Sequence, residues 1–99
     1  MTEKELFEII SLPKENEWVE FKVNDSESYE IGEYISALTN SACLHNREFG
    51  YLIFGIKNTT HEIVGTNFNP KAKKVGNEEL ENWLATQLNP RIDFKIYEF

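Results

Sequence analysis

The run Gly50-Tyr51-Leu52-Ile53-Phe54-Gly55-Ile56 most constrains what this chain can fold into. It is too short to span a bilayer, and its unbroken apolar character between two glycines suits a strand buried on both faces at the centre of a sheet. A strand covered on both sides needs partners, and the chain before it supplies them. Trp18-Val19-Glu20-Phe21-Lys22-Val23 alternates with period two, which turns Val19, Phe21 and Val23 inward and leaves Glu20 and Lys22 on an outer or cleft-facing side. Between the two strands, Ile31, Ile35, Leu38 and Ala42 fall on one helical stripe behind a cap at Ser26 or Ser28. Strand, helix, strand in this order predicts a right-handed crossover joining parallel strands.

The rest of the chain adds to that unit. Thr2 and Glu5 have capping-box spacing ahead of Leu6, Ile9 and Ile10, predicting a first helix that ends near Pro13. Lys57-Asn58-Thr59-Thr60 reads as a hairpin connection into a short strand at Glu62 to Val64. Gly65 to Gly76 reads as a long loop, after which Asn77 caps a helix with Leu80, Trp83, Leu84 and Leu88 on one face, stopped at Asn89-Pro90. A last strand turns Ile92, Phe94 and Ile96 inward and Asp93, Lys95 and Tyr97 outward. The expected architecture is α+β: a single compact domain in the order α-β-α-β-β-α-β, with a mixed sheet and helices packed mainly on one face. No repeat or linker subdivides residues 1–99, and the final alternation is still running at Phe99, as expected of the N-terminal fragment of a longer protein.

Cysteine and charge narrow the function classes. Cys43 stands alone, which excludes an internal disulfide framework and suits a reducing compartment; with no basic-then-apolar leader pattern at the start, the expected location is cytoplasmic, without a membrane partner. The formal charge of −7 argues against a domain that grips phosphates by bulk electrostatics. The charge is uneven, however: residues 1–49 hold eleven acids and four bases, whereas residues 50–99 hold six of each. Lys71, Lys73 and Lys74 follow Asn67-Phe68-Asn69 on the Pro-containing loop, a mixture able to track a phosphate backbone and stack on a base. Lys57, Arg91 and Lys95 extend the same patch if the last strand lies beside the hairpin. The plainer reading of loop lysines is solubility.

Other candidates are weaker. Glu15, Glu17 and Glu20 surround a strand entrance where a hydrolase could hold a divalent ion through oxygen ligands, although acids in such places are commonly just solvated. Glu20 and Lys22 can form an ion pair along one strand face. Gly50 and Gly55 lack the Gly-Lys-Ser or Gly-Lys-Thr of a phosphate loop, so no ATP or other small-molecule site is expected here. Cys43, His45 and His61 have neither the number nor the spacing of a zinc site. Asn40, unfavourable within a helix, is expected to clasp a neighbouring loop or strand. Trp18 and Trp83 suit packing.

Three segments in order, Glu15-x-Glu17-x-x-Glu20-Phe21-Lys22, Ile35-Ser36-Ala37-Leu38-Thr39-Asn40-Ser41 and Gly50-Tyr51-Leu52-Ile53-Phe54-Gly55-Ile56, followed by Ile63-Val64-Gly65 and Leu88-x-Pro90, resemble the Schlafen-type Alba-like domain. This domain is also called the divergent-AAA DNA-binding domain, and the resemblance runs from about Glu15 to Phe99. It implies an Alba-related fold at the front of a bacterial transcriptional regulator and a DNA or RNA partner. Some Schlafen relatives are endoribonucleases with three acids, and Glu15 and Glu20 stand where the first two are found, beside Lys22. The third would fall just after the buried strand, where this chain has Lys57-Asn58, which argues against an enzyme. Phe49 occupies the first position of a glycine pair common in the family; Gly50 keeps the second.

The leading expectation is therefore a DNA-binding or nucleic-acid-associated regulatory domain acting through Lys57, Lys71, Lys73, Lys74, Arg91 and Lys95, with no cofactor. One alternative is a nuclease using Glu15, Glu20 and Lys22 with Mg or Mn. The other is an interaction module that forms a homodimer through the sheet edge.

Overall fold

A computed structural model describes residues 1–11, 18–24, 27–87 and 93–99. Helix α1 (Glu3–Ile10) starts where the capping pattern predicts: the Thr2 hydroxyl accepts from the Glu5 backbone N–H at 3.2 Å and donates to the Glu5 carboxylate at 3.3 Å. Strand β1 (Val19–Lys22) and strand β2 (Tyr51–Phe54) run parallel, pairing Val19 with Tyr51 through Lys22 with Phe54. The crossover between them is helix α2 (Ser28–Leu44), which presents Ile31, Leu38 and Ala42 as its buried stripe. Its cap differs from the expected serine. Glu27 is the N-cap, its two carboxylate oxygens accepting from the N–H groups of Tyr29 and Glu30, while Ser28 is the buried first helical residue and Ser26 lies outside the described residues. A carboxylate there satisfies orphan donors and opposes the positive end of the helix dipole. At the other end Asn46 takes a left-handed conformation (φ 55°), and the Arg47 N–H returns to the Ala42 carbonyl at 2.7 Å.

Two apolar clusters lie on opposite faces of the strand pair. Val19, Phe21, Tyr51 and Ile53 meet Leu6, Ile9 and Ile10 of α1 on one side. Leu52 and Phe54 meet Ile31 and Ile35 of α2 and Leu80, Trp83 and Leu84 of helix α3 (Leu80–Gln87) on the other. The fold class is thus α+β as expected, with two of the three helices sharing one face. β2 is half-buried along its length rather than fully enclosed, because β1 is its only ladder partner among the described residues. Gly50 brings the entry of β2 against α2: a Cβ built there would stand 2.7 Å from the Leu38 carbonyl oxygen.

Beyond β2 the chain departs from expectation in detail. The strand foreseen at Glu62 to Val64 is a single antiparallel bridge, Ile56 to Ile63. Gly55 (φ 96°) and Gly65 (φ 78°) curl the segment too tightly for a ladder, and His61, itself at φ 60°, donates its backbone N–H to the Lys57 carbonyl. The His61 ring packs edge-on to Phe21 and bonds through Nδ1 with the Ile10 carbonyl at 3.2 Å, tying this turn to α1. The long loop folds back on itself as a tight hairpin of β3 (Lys74–Val75) and β4 (Glu78–Glu79), with Gly76 at φ 64°, so α3 begins at Leu80 rather than behind Asn77. Residues 93–99 form no ladder, although Phe94 and Ile96 are half-buried and Asp93, Lys95 and Tyr97 exposed, the alternation the sequence implies. The helix stop at Leu88, Asn89 and Pro90, and Ile92, lie outside the described residues. Asn40 is exposed rather than clasped.

Candidate nucleic-acid interface

Because β1 and β2 are parallel, their carboxyl ends open on the same rim, which is where ligands bind in open parallel sheets. There an open groove of about 580 Å³ is lined by Val23, Asn24, Lys57, Val64, Gly65, Thr66 and Asn67. Among the described residues, no carboxylate lines it. Two of its lining residues, Val64 and Gly65, are held by backbone bonds: the Gly55 carbonyl accepts from their N–H groups (2.8 and 3.0 Å), and a Cβ on Gly55 would come within 3.2 Å of Gly65. Across the groove, Asn24 Oδ1 accepts from the Asn67 N–H at 2.7 Å and from the Thr66 hydroxyl at 2.9 Å. The Thr66 hydroxyl shares that one hydrogen with the Val23 carbonyl, and its oxygen accepts from the Phe68 N–H at 3.1 Å. These bonds span more than forty residues of sequence and lock the segment after the glycine turn to the end of β1.

Phe68 does not offer a free ring for base stacking. It is half-buried with its centroid 4.6 Å from that of Phe54, and it anchors the loop to the α2–α3 side of the sheet. On one side of this anchor, Thr66 and Asn67 face the groove; on the other, the chain runs to the lysines. Lys71 is exposed, Lys73 is half-buried and its carbonyl accepts from the Leu80 N–H, and exposed Lys74 lies opposite Glu79 in the hairpin. No ion pair holds any of the three among the described residues. Lys57 lies at the groove and pairs loosely with Glu62, 3.8 Å away and exposed. Lys95 is exposed on the terminal segment, and no ladder joins that segment to the hairpin; Arg91 lies outside the described residues.

Of the nuclease candidates, Glu20 and Lys22 are outside the groove lining. Glu20 and Lys22 form the ion pair foreseen in the sequence, at 3.5 Å, with the Lys22 ammonium 4.6 Å above the ring of Tyr34. The Lys22 pKa is raised above the ordinary lysine value, chiefly by its hydrogen bond to Tyr34; burial works against this, and the charges of Tyr34 and Glu20 add to it. Glu15 and Glu17 lie outside the described residues, among which no three His, Cys, Asp or Glu side chains are grouped to hold a metal. Two features had no separate sequence signal: the Tyr34 contact, and Arg47 stacked 4.5 Å over Trp18, beside a Trp18–Tyr51–Phe49 aromatic series. Asn24, at the centre of the groove clasp, reads in the sequence only as a turn former.

The model of the Schlafen, AlbA_2 family matches residues 15–99. The chain belongs to that family. A curated relative of this Schlafen/AlbA_2 domain is an uncharacterized ATP-binding protein of Ureaplasma parvum serovar 3, 29% identical over 86 residues. The match takes in 87% of this chain but only 23% of the relative, so the domain corresponds to under a quarter of that protein. No solved structure matches. Among the described residues of the domain, no helix is long and apolar enough to cross a membrane.

Proposed function

We propose that this Schlafen/AlbA_2 domain is a DNA-binding module of a larger regulatory protein, and that the segment 63–77 is its phosphate-facing surface. One observation carries the reading: on a chain of net charge −7, residues 63–77 contain three lysines and no acid, and their first part lines a groove that has no carboxylate among its described lining residues. The polyanion therefore meets local attraction while the bulk charge repels it, which makes binding weak, salt-sensitive and confined to one face. The side-chain amides of Asn24 and Asn67 supply neutral donors beside Lys57, and Lys71, Lys73 and Lys74 continue the track. The Ureaplasma relative is named as ATP-binding, and most of that protein lies outside the matched region.

The test is fluorescence anisotropy of a labelled duplex across about 50 to 200 mM salt, with wild type and the Lys71→Ala, Lys73→Ala, Lys74→Ala triple variant. If all three contact phosphates, the slope of log K against log salt becomes shallower by about 2 to 3 in the variant. Equal slopes for the two proteins, or no wild-type binding at the lowest salt, would refute the assignment.

A further inference from the structure

We infer that Asn24 and Lys57 form a subsite for a phosphate oxygen at the carboxyl ends of β1 and β2, an inference that rests on and sharpens the nucleic-acid reading above. The orientation of the Asn24 amide is decided by its neighbours. The Asn67 backbone N–H can only donate, so the Asn24 atom 2.7 Å from it is the carbonyl oxygen and not the nitrogen. The Thr66 hydroxyl lies 2.9 Å from the same atom and shares its one hydrogen between it and the Val23 carbonyl. The oxygen is thus taken by the Asn67 N–H, and the donor capacity left on this exposed, groove-lining side chain is its NH₂ group with two N–H donors. A donor fixed in this way loses little freedom on binding, which favours an acceptor ligand over water.

The acceptor best suited to the groove is anionic. Lys57 lines the same space, and its partner Glu62 holds it only at 3.8 Å with both side chains more than half exposed, so the ammonium can turn to a ligand at little cost. Gly65 leaves the groove open at its side, since nothing lies within 4 Å of a Cβ built there. A carbonyl of a peptide could accept from the amide, but it would gain little from the ammonium; a phosphate oxygen uses both.

The clasp role and the ligand role of Asn24 separate by substitution. Asn24→Asp keeps an oxygen for the Asn67 N–H and the Thr66 hydroxyl but removes both N–H donors and adds a negative charge. Asn82→Asp is the charge control, because Asn82 is exposed on α3, outside both the groove lining and the segment 63–77. Duplex affinity should fall about tenfold or more for Asn24→Asp and less than about threefold for Asn82→Asp. Equal losses in the two variants would overturn the subsite while leaving the lysine track of the previous section standing.

A second measurement does not depend on a folded variant. In isotope-labelled wild type, the Asn24 side-chain NH₂ resonances should move on titration with inorganic phosphate, and further with a short oligonucleotide. A larger response to ATP than to the oligonucleotide would assign the phosphate to a free nucleotide. Movement with inorganic phosphate in a protein that fails to bind duplex would keep the subsite and refute the DNA reading. Resonances that stay fixed with all three ligands would overturn the subsite.

Discussion

Replacing Gly50 by alanine sets two opposing effects against each other. Glycine-to-alanine changes reduce the freedom of the unfolded chain and stabilise by about 0.4–1 kcal/mol where the native site accepts a methyl group. At Gly50 it does not: the new Cβ would lie 2.7 Å from the Leu38 carbonyl oxygen and 2.9 Å from its carbon, well inside the 3.4 Å at which ordinary contact begins. The obstacle is helix backbone, which cannot swing aside as a side-chain tip can. Relief requires β2 to move off α2, yet the Tyr51 N–H is bonded to the Trp18 carbonyl at 2.9 Å, and the adjoining Leu38 side chain is only 7% exposed. Overpacking of this kind costs about 1–3 kcal/mol, which outweighs the unfolded-state gain. The net loss of about 1–2 kcal/mol corresponds to roughly 4–8 °C of melting temperature per kcal/mol in a domain of this size. Gly32→Ala provides the contrast within the same helix: its Cβ would meet only Leu84 Cδ2, at 3.6 Å, so the substitution should stabilise by about 0.5–1 kcal/mol. Urea unfolding of both variants, followed by circular dichroism, reads the two signs directly. A Gly50→Ala protein as stable as wild type would show that the approach of β2 to α2 is not tight.

Further outcomes follow from the cap and from the lysine beneath α2. Glu27→Ala removes the acceptor for the Tyr29 and Glu30 N–H groups and should cost about 0.5–2 kcal/mol by thermal melting, with Glu27→Asp retaining most of the stability. Because the folded-state pKa of Lys22 is raised, its contribution to stability is complete below the ordinary lysine value and is lost as pH climbs through the folded one. Tyr34→Phe removes the largest cause of that shift, so its urea midpoint should fall less than that of wild type above about pH 10. Parallel pH profiles would contradict the Tyr34 assignment.

The parts of the fold legible in the sequence are those where a short-range pattern and the tertiary partner agree. The Thr2–Glu5 spacing, the alternation through Phe21 and the Ile31–Ala42 stripe each specify an element whose buried face is the face the core uses. Glu27 carries no local capping signal, because serines flank it and capping preferences rank serine above glutamate. The β3–β4 hairpin did carry a signal, Gly76-Asn77 between Val75 and Glu78, but strands of two residues are too short for periodicity to register. The basic segment was visible as composition. Its division by Phe68 into a groove-facing part and a lysine-bearing part was not, since that depends on a ring contact with Phe54, fourteen residues earlier. Asn24 was the least legible, because its bonds to Thr66 and Asn67 come from topology alone.

The closure at Gly55 and Gly65 bears on how such a domain can diversify. Its two ends are stapled by main-chain bonds to one carbonyl, and Ile56 and the His61 ring hold the stretch to the core, which leaves residues 58–60 as a tip outside these anchors. Lengthening or exchanging residues 58–60, all exposed, would remodel the rim beside the groove without disturbing the parallel strands beneath, and entropy sets only a modest toll on the added length.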